Sequence, residues 1–205
     1  MSSRPDIRGA FSLIELLIVI AIIAVLSALA VPAFNSIRGA GGITKAANDI
    51  AGILEHARAY AMAQNTYVWV GFRKEGSDTL VVGIIASKTG SSNPANDVFQ
   101  LGRITRFENV QLVALPNSDA RPVTNVDQLN GASDSALAFT IGTNSFNSQV
   151  IRWNSQGEAR INAAQLTRLI EIGLQASAGG AIRNASNNAA VQIGGLSGAV
   201  IVYRP

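Results

Sequence analysis

Several patterns of apolar and polar positions follow one another along the chain. Residues 1–10 form a short polar segment carrying Arg4, Asp6 and Arg8. An apolar run begins at Phe11 and is broken once, by Glu15. Leu16–Ile37 is then a stretch of 22 residues without a charge. At about 1.5 Å per residue, a helix of that length spans about 33 Å, enough to cross the hydrocarbon core of a bilayer. The basic flank on its N-terminal side predicts an amino end in the cytoplasm and an exported remainder. Beyond it, Ile43, Ala47, Ile50, Leu54, Ala57 and Ala61 recur at alternating steps of four and three, which places them on one face of a helix. Lys45, Asn48, Asp49, Glu55 and Arg58 fall mostly elsewhere. Between the two helical stretches, Pro32 and Gly39-Ala40-Gly41-Gly42 are expected to weaken or hinge the helix.

After Gln64-Asn65 the pattern becomes β-branched and aromatic. Thr66–Arg73 and Thr79–Ala86, joined by Lys74-Glu75-Gly76-Ser77-Asp78, predict a hairpin. Val98–Leu115 predicts one or two further strands. Shorter candidates are Leu137–Ile141, Val150–Trp153, Ala159–Ile161, Leu169–Leu174, Val191–Ile193 and Ala199–Tyr203. Lys88–Asp97 and Pro116–Ser135, rich in Asn, Ser, Asp and Pro, are expected to be loops. Gly173–Gly198, mostly Gly, Ala, Ser and Asn, is expected to be a mobile or strand-poor tip. The fold class that results is α+β. A long N-terminal helix, transmembrane in its first half, packs through its second half on an antiparallel β-sheet domain.

Composition narrows the chemistry. Of the 205 residues, 48% are hydrophobic and only 14% charged, and 16 Lys+Arg stand against 13 Asp+Glu for a net charge of +3. This excludes a disordered polyelectrolyte and argues against a dedicated nucleic-acid binder, which carries a clustered basic footprint. With no Cys, neither a disulfide nor a thiolate metal site is available, and a single His excludes a multi-His centre. There is no G-x-S-x-G elbow and no phosphate-binding G-x-x-x-x-G-K-[ST] loop. No catalytic residue, cofactor or metal is expected. His56 reads as a surface or helix-packing residue, Trp69 and Trp153 as core. Asp119, Asp127 and Asp134 lack the spacing of a calcium loop. Arg160, Arg168, Arg183 and Arg204 are candidate contacts to DNA or another anionic surface, weighed against ordinary solubilising charge.

Glu15 is the residue the pattern does not explain. A carboxylate inside an apolar membrane segment costs about 2.5–3.5 kcal/mol on insertion scales and calls for a partner. Cleavage after Ala10 would supply one. Phe11 would become the N-terminus and Glu15 the fifth residue, so ammonium and carboxylate would lie one helical turn apart. Pairing within a chain neutralises both; pairing between parallel helices also fixes their axial register. The competing reading is a secretory signal peptide cut at Ala28-Leu29-Ala30. Against it stand Glu15 itself and an apolar run that continues past that cut to Ile37.

Gly9-Ala10-Phe11-Ser12-Leu13-Ile14-Glu15-Leu16-Leu17 resembles the cleavage and methylation signature of type IV pilins and type II secretion pseudopilins. Pro32 matches a helix-kinking proline that many members carry. The resemblance implies a prepilin peptidase that cuts after Ala10 and N-methylates Phe11, where the family usually has Gly in place of Ala10. It implies a leader at 1–10, a hydrophobic transmembrane and assembly helix at 11–38, a sheet-packing helical half at 43–64 and an extracytoplasmic β-rich domain at 65–205. The implied location is the bacterial inner membrane, then a filament after assembly. The implied partners are other pilin or pseudopilin subunits, with a platform protein and an assembly ATPase acting indirectly. Leu54…Ala57-Arg58…Ala61 leading into Val68-Trp69-Val70, the segment Ile151–Gly157, and Gly198-Ala199-Val200-Ile201-Val202 resemble the GspH/FimT-type minor pilin and pseudopilin domain. Two other readings are a filament-tip module that binds secreted substrate, DNA or a surface, and a protein released by signal peptidase.

Overall fold

The computed structural model of the chain describes residues 13–95, 97–116, 121, 122, 124, 126–182 and 186–204, with residues 28–41 described by their backbone alone. The chain divides into two compact units, Met1–Arg38 and Gly39–Pro205. Helix α1 covers Leu13–Ala63. Its backbone stays helical through Pro32 and through Gly39-Ala40-Gly41-Gly42, where the pattern predicts a weak point or hinge. The reason is cooperativity. A Gly costs up to about 1 kcal/mol and a Pro about 3 kcal/mol in a helix interior, whereas a break requires a second, costly nucleation. Among the described residues, no helix is long and apolar enough to cross a membrane.

In the second unit, α1 buries the face read from the sequence. Ile43, Ala47, Ile50, Leu54, Ala57 and Ala61 are each at most 1% exposed, and Ala46, outside that reading, is buried beside them. The helix ends where Asn65 takes a left-handed backbone, φ 49°, a conformation that commonly closes helices. Thr66 then donates its amide to the Ala61 carbonyl at 3.0 Å and its hydroxyl to the Ser87 carbonyl at 2.8 Å. The turn out of the helix is thereby tied to the sheet it enters.

Fourteen strands are assigned among the described residues. In chain order β1–β4 are Val68–Glu75, Thr79–Ser87, Val98–Gln100 and Thr105–Glu108; β5 and β6 are Val110–Val113 and Val126–Gln128; β7 and β8 are Phe139–Ile141 and Asn144–Phe146; β9 and β10 are Val150–Trp153 and Ala159–Arg160; β11–β14 are Leu169–Ala178, Ala181–Ile182, Asn188–Gly194 and Val200–Tyr203. They form two six-stranded sheets and one hairpin. The first sheet runs β10-β9-β1-β2-β3, with β4 also on β2. The second runs β12-β11-β13-β14, with β5 and β6 also on β11. All pairings are antiparallel except β6 with β11.

Alternation along the strands makes two cores. The inner face of the first sheet, Val68, Val70, Phe72, Leu80, Val82, Ile84, Ile151 and Trp153, packs with the buried side of α1. Ile170, Ile172, Leu174, Val191 and Ile193 of the second sheet complete that core. The other face of the first sheet carries Trp69, Val81, Ile85 and Val150, covered by Phe139, Ile141 and Phe146 of the β7–β8 hairpin. A glycine pair makes room for it. Gly71 and Gly83 stand directly opposite each other, and a Cβ on either would come within 2.7 Å of Phe146 side-chain atoms. Phe146 stacks on Phe139 with ring centroids 4.9 Å apart.

The predicted β1–β2 hairpin forms, and Val98–Leu115 supplies three strands. Two expectations are corrected. The stretch 173–198 is not a strand-poor tip, because β11 continues to Ala178 and β13 begins at Asn188. Small residues serve close approach there, since a Cβ on Gly173 would lie 2.2 Å from the Val113 carbonyl oxygen. The segment 116–135 is not all loop, because Val126–Gln128 adds a parallel strand to β11.

Candidate functional site

Among the described residues of the first unit, apolar side chains are exposed on every side of the helix. Leu13, Ile14, Leu16, Leu17, Ile18 and Ile20 are 52–88% exposed, and the pattern continues through Leu26. Contiguous apolar surface of this kind marks a membrane or protein contact. The only acid in this stretch is Glu15, in the first turn of α1 and exposed with its neighbours. Gly9, Ala10 and Phe11, the predicted processing residues, lie outside the described residues, and Pro32 is described by its backbone alone.

The candidate arginines are only partly brought together. Ala159 donates its amide to the Gly195 carbonyl at 2.8 Å, and Gly195 donates its own to the Arg168 carbonyl at 3.0 Å. Arg160 and Arg168 therefore flank one turn. Arg204 lies at the other end of β13, where its Nη1 donates to the Asn188 carbonyl. At about 3.3 Å per residue, β13 separates the Arg168 and Arg204 ends by about 20 Å. Arg160 is paired with Glu158 at 3.4 Å. Arg183 lies outside the described residues.

Residues that carry the resemblance in the second unit converge at the C-terminal end of α1. Arg58 Nη2 donates to the Ser197 carbonyl at 2.9 Å. Gly157 and Gly198 both have positive φ, 81° and 67°. A Cβ on Gly198 would lie 2.1 Å from the Gly157 carbonyl oxygen and 2.6 Å from Arg58 Nε. Only glycine admits the two loops over the guanidinium. Trp69 and Trp153 are fully buried, as core. His56 is on the exposed side of α1.

Sequence reasoning missed one buried polar group. Glu171, in the middle of β11, is 0% exposed, and Arg121 pairs with it at 2.7 Å. Gln128 and Gln192, opposite it on β6 and β13, also donate to its carboxylate. Arg121 further donates to the Pro116 carbonyl, and Gln192 to the Pro122 carbonyl. Burial pushes the Glu171 carboxyl up, but the hydrogen bonds from Arg121, Gln192 and Gln128 outweigh it and hold the group below its ordinary range. The available signal was an acid at the centre of the apolar run Leu169–Leu174. Among the described residues, no cluster of three or more His, Cys, Asp or Glu is arranged to hold a metal.

Residues 7–31 match the family model of the prokaryotic N-terminal methylation motif, which is consistent with the type IV pilins and pseudopilins. The match takes in Gly9, Ala10, Phe11 and Glu15. No curated protein and no solved structure matches the chain.

Proposed function

We propose that this chain is a non-enzymatic minor subunit of a type IV pilus-like filament or a type II secretion pseudopilus. The observation that carries the reading is the methylation motif at residues 7–31 running directly into a helix that is apolar and exposed on every side. Before assembly the uncharged run Leu16–Ile37 anchors the precursor in the inner membrane, with the amino end in the cytoplasm. A prepilin peptidase removes residues 1–10 and methylates the amine of Phe11. On extraction the helix exchanges lipid contacts for contacts with other subunits' helices. Lipid tails are as apolar as the side chains, so the hydrophobic term nearly cancels. What remains to decide assembly is packing and the Glu15–ammonium pair. Head-to-tail contacts that do not close on themselves generate a helical filament. The platform protein and assembly ATPase supply the work.

Processing is tested by Ala10→Glu. The peptidase reads small residues before the cut, so a carboxylate there blocks cleavage and leaves the precursor at full length. Intact-mass measurement of membrane-extracted protein checks this. Continued cleavage at the same bond would move the cut site away from Ala10–Phe11.

A further inference from the structure

On the outer face of the first sheet, two arginines stand directly opposite each other. Arg152 of β9 pairs in register with Arg160 of β10 on one side and with Trp69 of β1 on the other. Directly opposed residues of an antiparallel pair have their Cβ atoms about 4.5–5.5 Å apart, and like charges there are destabilising. The guanidinium of Arg152 lies over the Tyr67 ring, 5.5 Å from its centroid. Burial depresses its proton affinity most, and the Arg160 charge depresses it further, against smaller opposing pulls from Tyr67 and Asp134.

The neighbouring acids offset this charge only at a distance: Asp134 acts on Arg152 through space, without a direct contact. Glu158 is engaged with Arg160 at 3.4 Å and accepts from Asn154 Nδ2 at 2.8 Å. Both oxygens of Asp134 are taken by backbone amides, one from Ala136 at 2.9 Å and the other from Ala163 at 2.6 Å. Among the described residues, no carboxylate lies within ion-pair distance of Arg152, and no side chain or carbonyl accepts one of its N–H groups. A half-buried guanidinium, stacked on an aromatic ring and crowded by a second cation, keeps its donor fork unused. Arg152 is itself partly exposed, and Arg160, on the terminal strand of the sheet, is 25% exposed, so both guanidinium groups meet solvent in part.

We propose that Arg152 and Arg160, with Tyr67 as the stacking floor, form a binding site for a single oxyanion, the carboxylate or phosphate group of a ligand or partner. A planar guanidinium offers two parallel N–H donors matched to two oxygens of such a group. The anion relieves the opposition of the two cations, and the ring holds Arg152 in position for it. The proposal rests on residues of the second unit alone and not on the methylation motif or filament assembly.

The test is an NMR titration of the full chain in detergent micelles, labelled at the arginine side-chain nitrogens. Inorganic phosphate and acetate are added separately at constant ionic strength. The expected result is a saturable shift of the Arg152 and Arg160 Nε–H signals with at least one of the two anions. The exposed Arg168 and Arg204 signals should move only in proportion to anion concentration. Saturation with phosphate alone assigns a phosphate ligand, with acetate alone a carboxylate, and with both a general oxyanion site; each supports the proposal. Arg152→Gln should weaken the binding seen at Arg160 about tenfold, the loss of one charge-assisted contact. A response at Arg152 and Arg160 that is linear, and equal to that of Arg168 and Arg204 for both anions, overturns it. That result needs only the wild-type chain, so it stands whether or not the variant folds.

Discussion

Replacing Glu15 with Ala is expected to leave the chain fully inserted in the membrane and absent from filaments. The substitution removes the only charge from the apolar part of α1 between Leu13 and Leu26. Insertion should not suffer, because a carboxylate in a membrane helix costs up to about 2.5–3.5 kcal/mol at the centre, and less at an end such as the first turn that holds Glu15. Assembly should fail for the same physical reason. In a bundle of parallel apolar helices, sliding one helix along another exchanges one apolar contact for another at little cost. A carboxylate that must meet an ammonium in a low-dielectric surround penalises every register but one. Without Glu15 the amine of Phe11 is left unpaired in the bundle and no register is singled out. The effect should be near-complete loss from sheared filaments, with the membrane fraction unchanged, read by immunoblot of the two fractions. Incorporation at the wild-type level would contradict the pairing.

Glu171→Ala is expected to destabilise the β domain by about 3–5 kcal/mol, the cost of breaking a buried ion pair by removing one partner. The Arg121 side chain is only 8% exposed. The substitution leaves it without its carboxylate while Gln128 and Gln192 lose the same acceptor. Arg121 and the Pro122 carbonyl are held to the second sheet through Glu171 and Gln192, so the chain at Arg121-Pro122 should become the first site of proteolysis. The wild-type chain should show a matching acid dependence. Its Glu171 carboxyl titrates below the ordinary range when folded. Stability from that group is therefore complete above the ordinary carboxylate pKa and is lost as the pH falls through the folded-state value. Thermal unfolding followed by circular dichroism should show the drop in the wild type and a smaller one in Glu171→Ala. Equal melting temperatures of the two chains at neutral pH would remove the buried pair from the account.

The helix and the first hairpin were legible because their patterns are local. The steps of Ile43, Ala47, Ile50, Leu54, Ala57 and Ala61 repeat at the helical period, and all six are buried. The predicted segments Thr66–Arg73 and Thr79–Ala86 agree with β1 and β2 within two residues at each end. What escaped depends on contacts far apart in sequence. Gly39–Gly42 has the composition of a break, yet the helix on both sides carries through it. Gly173 and Ala189-Ala190 have the composition of a loop, yet they lie in strands. Gly173 is small because the Val113 carbonyl of β5 lies against it, 60 residues away in the chain. The parallel strand β6 and the Arg121–Glu171 pair likewise join segments that no local pattern relates. Of the candidate site, the methylation motif was legible as residue types at fixed positions, and residues 7–31 match its family model. The arginine candidates were chosen along the chain alone, and topology places Arg168 and Arg204 at opposite ends of β13. Arg152, which topology sets beside Arg160, had no signal as a binding residue in the linear sequence, only its place in a short strand and in the segment Ile151–Gly157.

The most direct measurement is N-terminal sequencing, with intact mass, of the protein recovered from its native membrane and from sheared filaments. N-methylphenylalanine is expected first, followed by Ser12, Leu13, Ile14 and Glu15, in both fractions. A chain beginning at Val31, or filaments built from subunits that still carry Met1–Ala10, would contradict it.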